Sequence, residues 1–309
     1  MFRLRIGYLI TGITTGLIIL ISFLWSLPDG KLHIVFCDVG QGDAAYVRFP
    51  DGRDMVVDGG PNDKIIDCLG KHMPFWDRHI NLVVMTHPQK DHMQGLISVF
   101  ERYGVEYLIR SDVDNTTDGY KKLLDVIRTK KIPVKFVTTG ERIAVGSTSL
   151  SLLWPSKEQI AKGKSVQRSD LVSGQGPTLS GNILGTQAIG DLNDYCLVFF
   201  LRYGSFDALF TGDADSRVEA NYTGVKLADD GIEVLKVPHH GSKTGMTKEF
   251  VQWLHPKLAV ISVGKNSYGH PSFDAMQLLK DVGSQIKRTD QEGDIEVVSD
   301  GKGWTVKKQ

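Results

Sequence analysis

The sequence predicts an α+β protein, a two-layered β core with helices outside (an αββα sandwich), preceded by one N-terminal transmembrane helix. Three observations carry the sandwich. Short β-rich runs recur through both halves of the 309 residues. Amphipathic helical stretches follow strands in each half, and the clusters of Asp and His fall where strands end.

The N-terminal helix is read from Ile6 to Leu27, 22 positions without a charge. As a helix that is enough to span a hydrocarbon core of about 30 Å. Arg3 and Arg5 precede it and Trp25 stands where an interfacial aromatic anchors such a segment. The positive-inside rule then keeps residues 1–5 in the cytoplasm and sends the rest across, a single-pass protein in the cell membrane with its domain outside. A cleaved signal peptide, giving a secreted protein, is the alternative, although no A-x-A-like site follows the apolar run.

Pro28-Asp29-Gly30 ends that segment, and residues 31–309 form the expected domain. Strands are expected at Leu32–Phe36, Ala44–Phe49 and Met55–Val57, with Asp-Gly turns punctuating the run. A helix follows over Asp63–Lys71, then a strand Ile80–Met85 and a helix from Gln94 to Tyr103. Tyr107–Ile109, Val134–Val137 and a hairpin over Ile143–Trp154 are strands, with a helix at Tyr120–Lys130. From about 157 to 193 the pattern dissolves into Gly, Ser, Gln and Lys, which reads as a flexible loop. Strands resume at Tyr195–Leu201, Phe206–Phe210, Val234–Val237 and Leu258–Val263, with helices at Lys248–Leu254 and Phe273–Val282. The chain closes with strands near Ile295–Val298 and Trp304–Val306.

Lys+Arg and Asp+Glu balance at 36 each, and without Arg3 and Arg5 the remainder is 34 basic against 36 acidic. Bulk charge therefore argues against strong sequence-independent DNA affinity, which relies on neutralising phosphates. Three cysteines, Cys37, Cys68 and Cys196, make no disulfide framework and no CxxC pair; Cys37 and Cys196 sit in apolar runs and read as small buried hydrophobes.

Six polar clusters stand after strand-like runs: Asp38-Val39-Gly40-Gln41-Gly42-Asp43, Asp58-Gly59-Gly60, Thr86-His87-Pro88-Gln89-Lys90-Asp91-His92, Thr211-Gly212-Asp213, Val237-Pro238-His239-His240-Gly241-Ser242 and Asn266-Ser267-Tyr268-Gly269-His270-Pro271. Each alone has a structural explanation, but their recurrence supplies the Asp and His that a hydrolytic metal site uses. In this order they resemble the metallo-β-lactamase-fold domain at the carboxyl end of the DNA-uptake competence protein ComEC, over about Leu32 to Val306. The chain lacks that protein's polytopic channel and is similar to stand-alone, membrane-anchored or secreted relatives.

That resemblance implies a metal held by Asp91, His92, Asp213 and His240, with His239 near the scissile group. It implies a neighbouring metal at His87, with Asp213 bridging. Asp58 is implied to orient the His-turn ligands, Asp38, Gln41 and Asp43 to form a signature loop beside the metals, and His270, in the cluster that Asn266 opens, to hold a phosphate oxygen. The catalytic group is thus expected at Asp38, Asp43, Asp91, His239 and His270, supported by Gln41, Asp58, Gln89 and Asn266. The cofactor is expected to be one or two divalent ions, zinc or manganese.

One departure matters. The fuller fold pattern is HxHxDH, and here Gln89 replaces its second His. No His stands before Asp213 as an extra ligand either, so the His87 site is the weaker of the two. The expected function is a phosphodiesterase using metal-activated water, with DNA as first substrate through the resemblance. A phosphocholine-bearing surface polymer is the alternative phosphodiester, and a non-catalytic binding module is the other class. Ser242 is disfavoured as a nucleophile because its spacing implies no base.

Overall fold

The computed structural model describes residues 6–25, 27–162, 186–187, 190–224 and 231–307. The expected cytoplasmic segment 1–5 and most of the expected loop 157–193 lie outside these residues.

Helix α1 (Ile6–Trp25) leads to β1 (Leu32–Phe36), β2 (Ala45–Arg48), β3 (Asp54–Val57), α2 (Lys64–His72) and β4 (His79–Met85). The first half continues through α3 (Lys90–Arg102), β5 (Gly104–Arg110), β6 (Val113–Asp114), α4 (Asp118–Lys130) and β7 (Val134–Phe136). The second half contains β8 (Arg142–Val145), β9 (Thr148–Trp154), α5 (Lys157–Lys162), β10 (Thr186–Gln187), β11 (Val198–Tyr203) and β12 (Phe206–Phe210). Then come α6 (Ser216–Glu219), β13 (Val234–Lys236), α7 (Lys248–Leu254), β14 (Leu258–Ile261), α8 (Phe273–Asp281), β15 (Gln285–Arg288), α9 (Thr289–Glu292), β16 (Ile295–Ser299) and β17 (Trp304–Val306).

The strands form an eight-stranded sheet, β17-β16-β1-β2-β3-β4-β5-β7, and a seven-stranded sheet, β15-β14-β13-β12-β11-β9-β8. Alternation along each strand explains the layering. In β1, Ile34 and Phe36 enter the core between the sheets with Phe199 and Phe210, while Val35 faces the layer under α2, α3 and α4. A third cluster packs α7 and α8 on the outer face of the second sheet. Burial on both faces is why the central strands read as unbroken apolar runs.

Direction positions the site. β1 and β3 each run antiparallel to β2, and β3 runs parallel to β4. β1, β3 and β4 therefore deliver their carboxyl ends to one end of the first sheet. β12, β13 and β14 are mutually parallel and do the same in the second.

Four expectations are corrected. Cys37 is no isolated hydrophobe: it is disulfide-bonded to Cys68, with Cα atoms 5.9 Å apart, and ties the end of β1 to α2. Lying 31 positions apart, the pair has no local spacing signal. Helix α3 begins at Lys90, so Asp91 and His92 stand in its first turn and not on a free loop. Within the expected loop, α5 and a short 3-10 turn, Leu192–Tyr195, are formed. Finally, among the described residues no helix is long and apolar enough to cross a membrane. α1 nonetheless exposes Tyr8, Leu9, Ile13 and Ile18 along its length.

Candidate metal centre

The His turn is built on Asp58. This residue follows β3 with a left-handed backbone (φ 56°) and is buried. Its Oδ1 accepts the Thr86 amide at 2.8 Å, while Oδ2 accepts the Thr86 hydroxyl at 2.6 Å and the His92 Nδ1 proton at 2.8 Å. With Nδ1 so engaged, His92 turns Nε2 towards Asp213 Oδ1, 3.2 Å away. Burial disfavours a charged His92, but Asp213 and Asp58 outweigh it and hold its pKa well above the usual histidine value.

His240 arrives from the other sheet in the same attitude. Its Nδ1 donates to Ser262 O at 2.8 Å, and its Nε2 lies 3.5 Å from both Asp91 Oδ2 and Asp213 Oδ1. Burial lowers its pKa, yet Asp213 and Asp43 raise it to about 10. His239 and His240 both adopt left-handed backbone (φ 47° and 54°). Two successive non-glycine residues there store strain of about 1 kcal/mol or more each. The distortion aims adjacent imidazoles differently: His240 inward, His239 at the cleft, its Nε2 3.9 Å from Asp213 Oδ2.

Asp91, His92, Asp213 and His240 each offer one ligand atom, all within 4.8 Å of one another. His92 Nε2, His240 Nε2 and Asp213 Oδ1 are buried without a hydrogen-bond partner. Buried polar atoms are rarely orphaned, and two imidazole nitrogens with two carboxylates are the donor set of a borderline divalent ion. The residues present fit such a metal.

His87 is buried beside this group, its ring 4.1 Å from His92 and its Nε2 unpartnered. Burial, reinforced by His92, lowers its pKa to about 3, so it is neutral at physiological pH. Gln89, which stands in place of the pattern's second His, is engaged by another amide: its Nε2 donates to Asn193 Oδ1 at 3.0 Å.

Asp43 bridges the halves. Its amide donates to Asp91 O, its Oδ2 lies 2.5 Å from Lys236 Nζ, and its Oδ1 lies 3.2 Å from His240 Nδ1. It acts on His240 from behind and stands outside the four-ligand group. Asp38 is not brought to the ligand group: its Oδ1 accepts the Gly40 amide at 3.2 Å and its own amide donates to Asp294 Oδ1 at 2.9 Å. Gln41 Oε1 accepts from the Gly264 amide at 3.3 Å, joining the signature loop to the β14 end.

Sequence reasoning missed Lys236, Asn193 and Ser262, while Cys196 is the small buried side chain that the sequence predicts. The Cys196 thiol lies 3.2 Å from the Asp213 amide and 3.6 Å from His87 Nδ1, and burial pushes its pKa up to about 12. It is a neutral packing group under the site, without the electropositive setting that activates a thiol.

The ligand group lies at the floor of an open cleft of about 630 Å³, whose lining includes Lys90, Lys265, Tyr268, His239 and His270. His270 is placed by Asn266, whose Oδ1 accepts its amide and whose Nδ2 donates to its carbonyl. Its ring lies 5.5 Å from that of His239. Burial, then His239 and His240, lower its pKa.

Two facing sheets with helices outside, and ligands gathered where their parallel strands end, define a protein of the metallo-β-lactamase fold. The metallo-β-lactamase-fold protein YhfI from Bacillus subtilis superposes with a TM-score of 0.51 at 10% identity, covering 86% of this chain and 99% of YhfI. CmlA, a diiron β-hydroxylase from Streptomyces venezuelae, superposes at 0.50 and 15% identity, covering 88% of this chain and 54% of CmlA.

No family model matches the chain. It is 25% identical over 308 residues to ComE operon protein 3 of Bacillus subtilis, covering 93% of the chain and 36% of that protein. It is 30% identical over 265 residues to Recombination protein 2 of Haemophilus influenzae, covering 84% of the chain and 28% of that protein. The chain is thus a ComEC-like protein of the metallo-β-lactamase fold, and it spans about a third of the length of these curated relatives.

Proposed function

We propose that the protein is a metal-dependent phosphodiesterase that acts on nucleic acid outside the cytoplasm, attached to a membrane. The observation that carries this reading is the orphaned set of His92 Nε2, His240 Nε2 and Asp213 Oδ1 beside Asp91, at the floor of a cleft with Lys90 and Lys265 in its wall. A divalent ion supplies Lewis acidity and lowers the pKa of water bound to it.

The chain's own residues do the rest. Asp58 and the Ser262 carbonyl fix the two imidazoles with Nε2 free. Lys90 and Lys265 attract the phosphate chain. His239 and His270 each carry a buried Nδ1 without a partner. Standing in the cleft wall, both are suited to hold a phosphate oxygen, and His239 also to deliver a proton to the departing one.

The same lining favours nucleic acid over a phosphocholine polymer. A quaternary ammonium is recognised by several aromatic faces; among the described residues Tyr268 is the one Phe, Tyr or Trp in this cleft, and Lys90 and Lys265 repel the choline ammonium. The Cys37–Cys68 disulfide supports an oxidising, extracytoplasmic location. The uncharged, exposed α1 supports membrane attachment.

Hydrolysis of bis-p-nitrophenyl phosphate by the metal-loaded protein, lost in Asp91→Ala, is the expected result. Metal-loaded protein inert on every phosphodiester tried overturns the reading. Cleavage of single-stranded DNA against release of phosphocholine separates the substrates.

A further inference from the structure

The loop after β14 holds an aromatic ring out in solvent beside the candidate centre. Tyr268 is 74% exposed although it lies between β14 and α8, both packed in the core. An exposed tyrosine on a mobile loop means little. This loop is fixed: Asn266 Oδ1 accepts the amides of Tyr268 and His270, and Asn266 Nδ2 donates to the carbonyls of Gly264 and His270. One side chain thus satisfies four backbone groups, and Gly269, at φ 79°, makes the reversal that the loop needs. The Tyr268 ring stands 5.7 Å from that of His270, and it lines the same cleft as Lys265, Lys90 and Asp91.

We propose that Tyr268 is a stacking platform for an unpaired nucleobase next to the phosphate held at the metal centre, so that the cleft takes single-stranded nucleic acid in preference to duplex. This rests on the nucleic-acid phosphodiesterase reading above and adds what that reading lacks, a group that recognises bases. The chemistry is that of single-strand binding sites, which combine a cationic groove for the backbone with an aromatic face for a base. A duplex offers the cations its phosphates but keeps its base faces stacked inside. A tyrosine pre-positioned by its loop loses little freedom on binding, which is what makes a single exposed ring effective.

The test uses the full chain with its metal removed by EDTA, so that nothing is cleaved. Fluorescence anisotropy compares a labelled oligothymidylate, an abasic strand of the same length and a duplex. The wild-type protein is expected to bind oligothymidylate most tightly. Tyr268→Ala is expected to lose about tenfold, down to the affinity for the abasic strand. Tyr268→Phe, which keeps the ring, retains the preference, and Lys265→Ala weakens oligothymidylate and abasic strand alike. Equal affinity for the two strands in the wild type, or an undiminished preference in Tyr268→Ala, overturns the stacking site while leaving the phosphodiesterase reading standing. Binding of none of the three overturns the stacking site, and hydrolysis of bis-p-nitrophenyl phosphate by the metal-loaded protein decides the phosphodiesterase reading separately.

Discussion

Lys236 Nζ lies 2.5 Å from Asp43 Oδ2, joining the last residue of β13 in one sheet to the loop after β1 in the other. Both residues are buried, at 4% and 5% exposure. Burial alone drives a carboxylate towards its neutral form, but Lys236, followed by His240, holds Asp43 far below the usual carboxylate range. The pair therefore keeps a charged oxygen behind His240 and sets the spacing of the two halves at the site. Lys236→Met leaves that charge uncompensated and is expected to destabilise the protein by about 3 kcal/mol. Adding Asp43→Leu should restore much of the loss, because apolar replacement of a whole buried pair is far better tolerated than removal of one partner. Urea denaturation of the metal-free single and double variants checks both; a double variant no more stable than the single one refutes the clamp.

Asp58 and Asp213 differ in what they touch, and so in what their loss does. Asp213 belongs to the four-residue group that fits an ion, so Asp213→Ala should abolish stoichiometric metal binding. Asp58 acts through His92 Nδ1, so Asp58→Asn should weaken binding by about 10- to 100-fold without abolishing it. Titration against a chromogenic chelator distinguishes the two. Equal losses would place Asp58 among the ligands.

Gln89 stands where the fuller pattern has its second His, and its amide is held by Asn193 at 3.0 Å. We expect the wild-type protein to bind one divalent ion. The substitution Gln89→His restores the second imidazole of the pattern that His87 opens, whose Nε2 is unpartnered, and should raise the stoichiometry to two. Metal analysis after equilibrium dialysis decides; two ions in the wild type would show that Gln89 does not weaken the His87 site.

What was legible in the sequence follows from how local each signal is. β1 announced itself because burial on both faces demands the apolar run Ile34-Val35-Phe36 at its carboxyl half. The start of α3 was missed because Asp91 and His92 are poor helix formers, although an aspartate in a first turn suits the helix dipole. β15 is partly exposed and polar, so Gln285–Arg288 carries no strand alternation. The ligand-bearing clusters stood out by composition. Lys236 and Asn193 did not, since their roles arise from partners 193 and 104 positions away.

The Cys37–Cys68 bond ties the residue before the signature loop to α2 and closes the segment that holds that loop, β2 and β3. Its removal is expected to lose about 2–4 kcal/mol, chiefly by freeing the unfolded chain. Denaturation of the Cys37→Ala/Cys68→Ala variant, with and without reductant, tests this. The wild type should fall to the variant's stability when reduced, whereas the variant itself should not respond; Cys196 is buried and serves as the internal control.

Asp294 gives a pH prediction outside the ligand group. Burial pushes its carboxyl up, but His72 at 3.2 Å, the Asp38 amide and Lys71 outweigh it and bring the pKa to about 2. A folded-state pKa below the unfolded value contributes stability that is present above the unfolded pKa and lost as pH falls through the folded one. The window is therefore about pH 4 down to pH 2, and the contribution above it is about 2 kcal/mol. Asp294→Asn removes the charge at every pH. At pH 7 it should melt several degrees below the wild type, and the gap should close as pH approaches 2. A gap that stays constant with pH would mean that Asp294 acts through shape and hydrogen bonding and not through its charge.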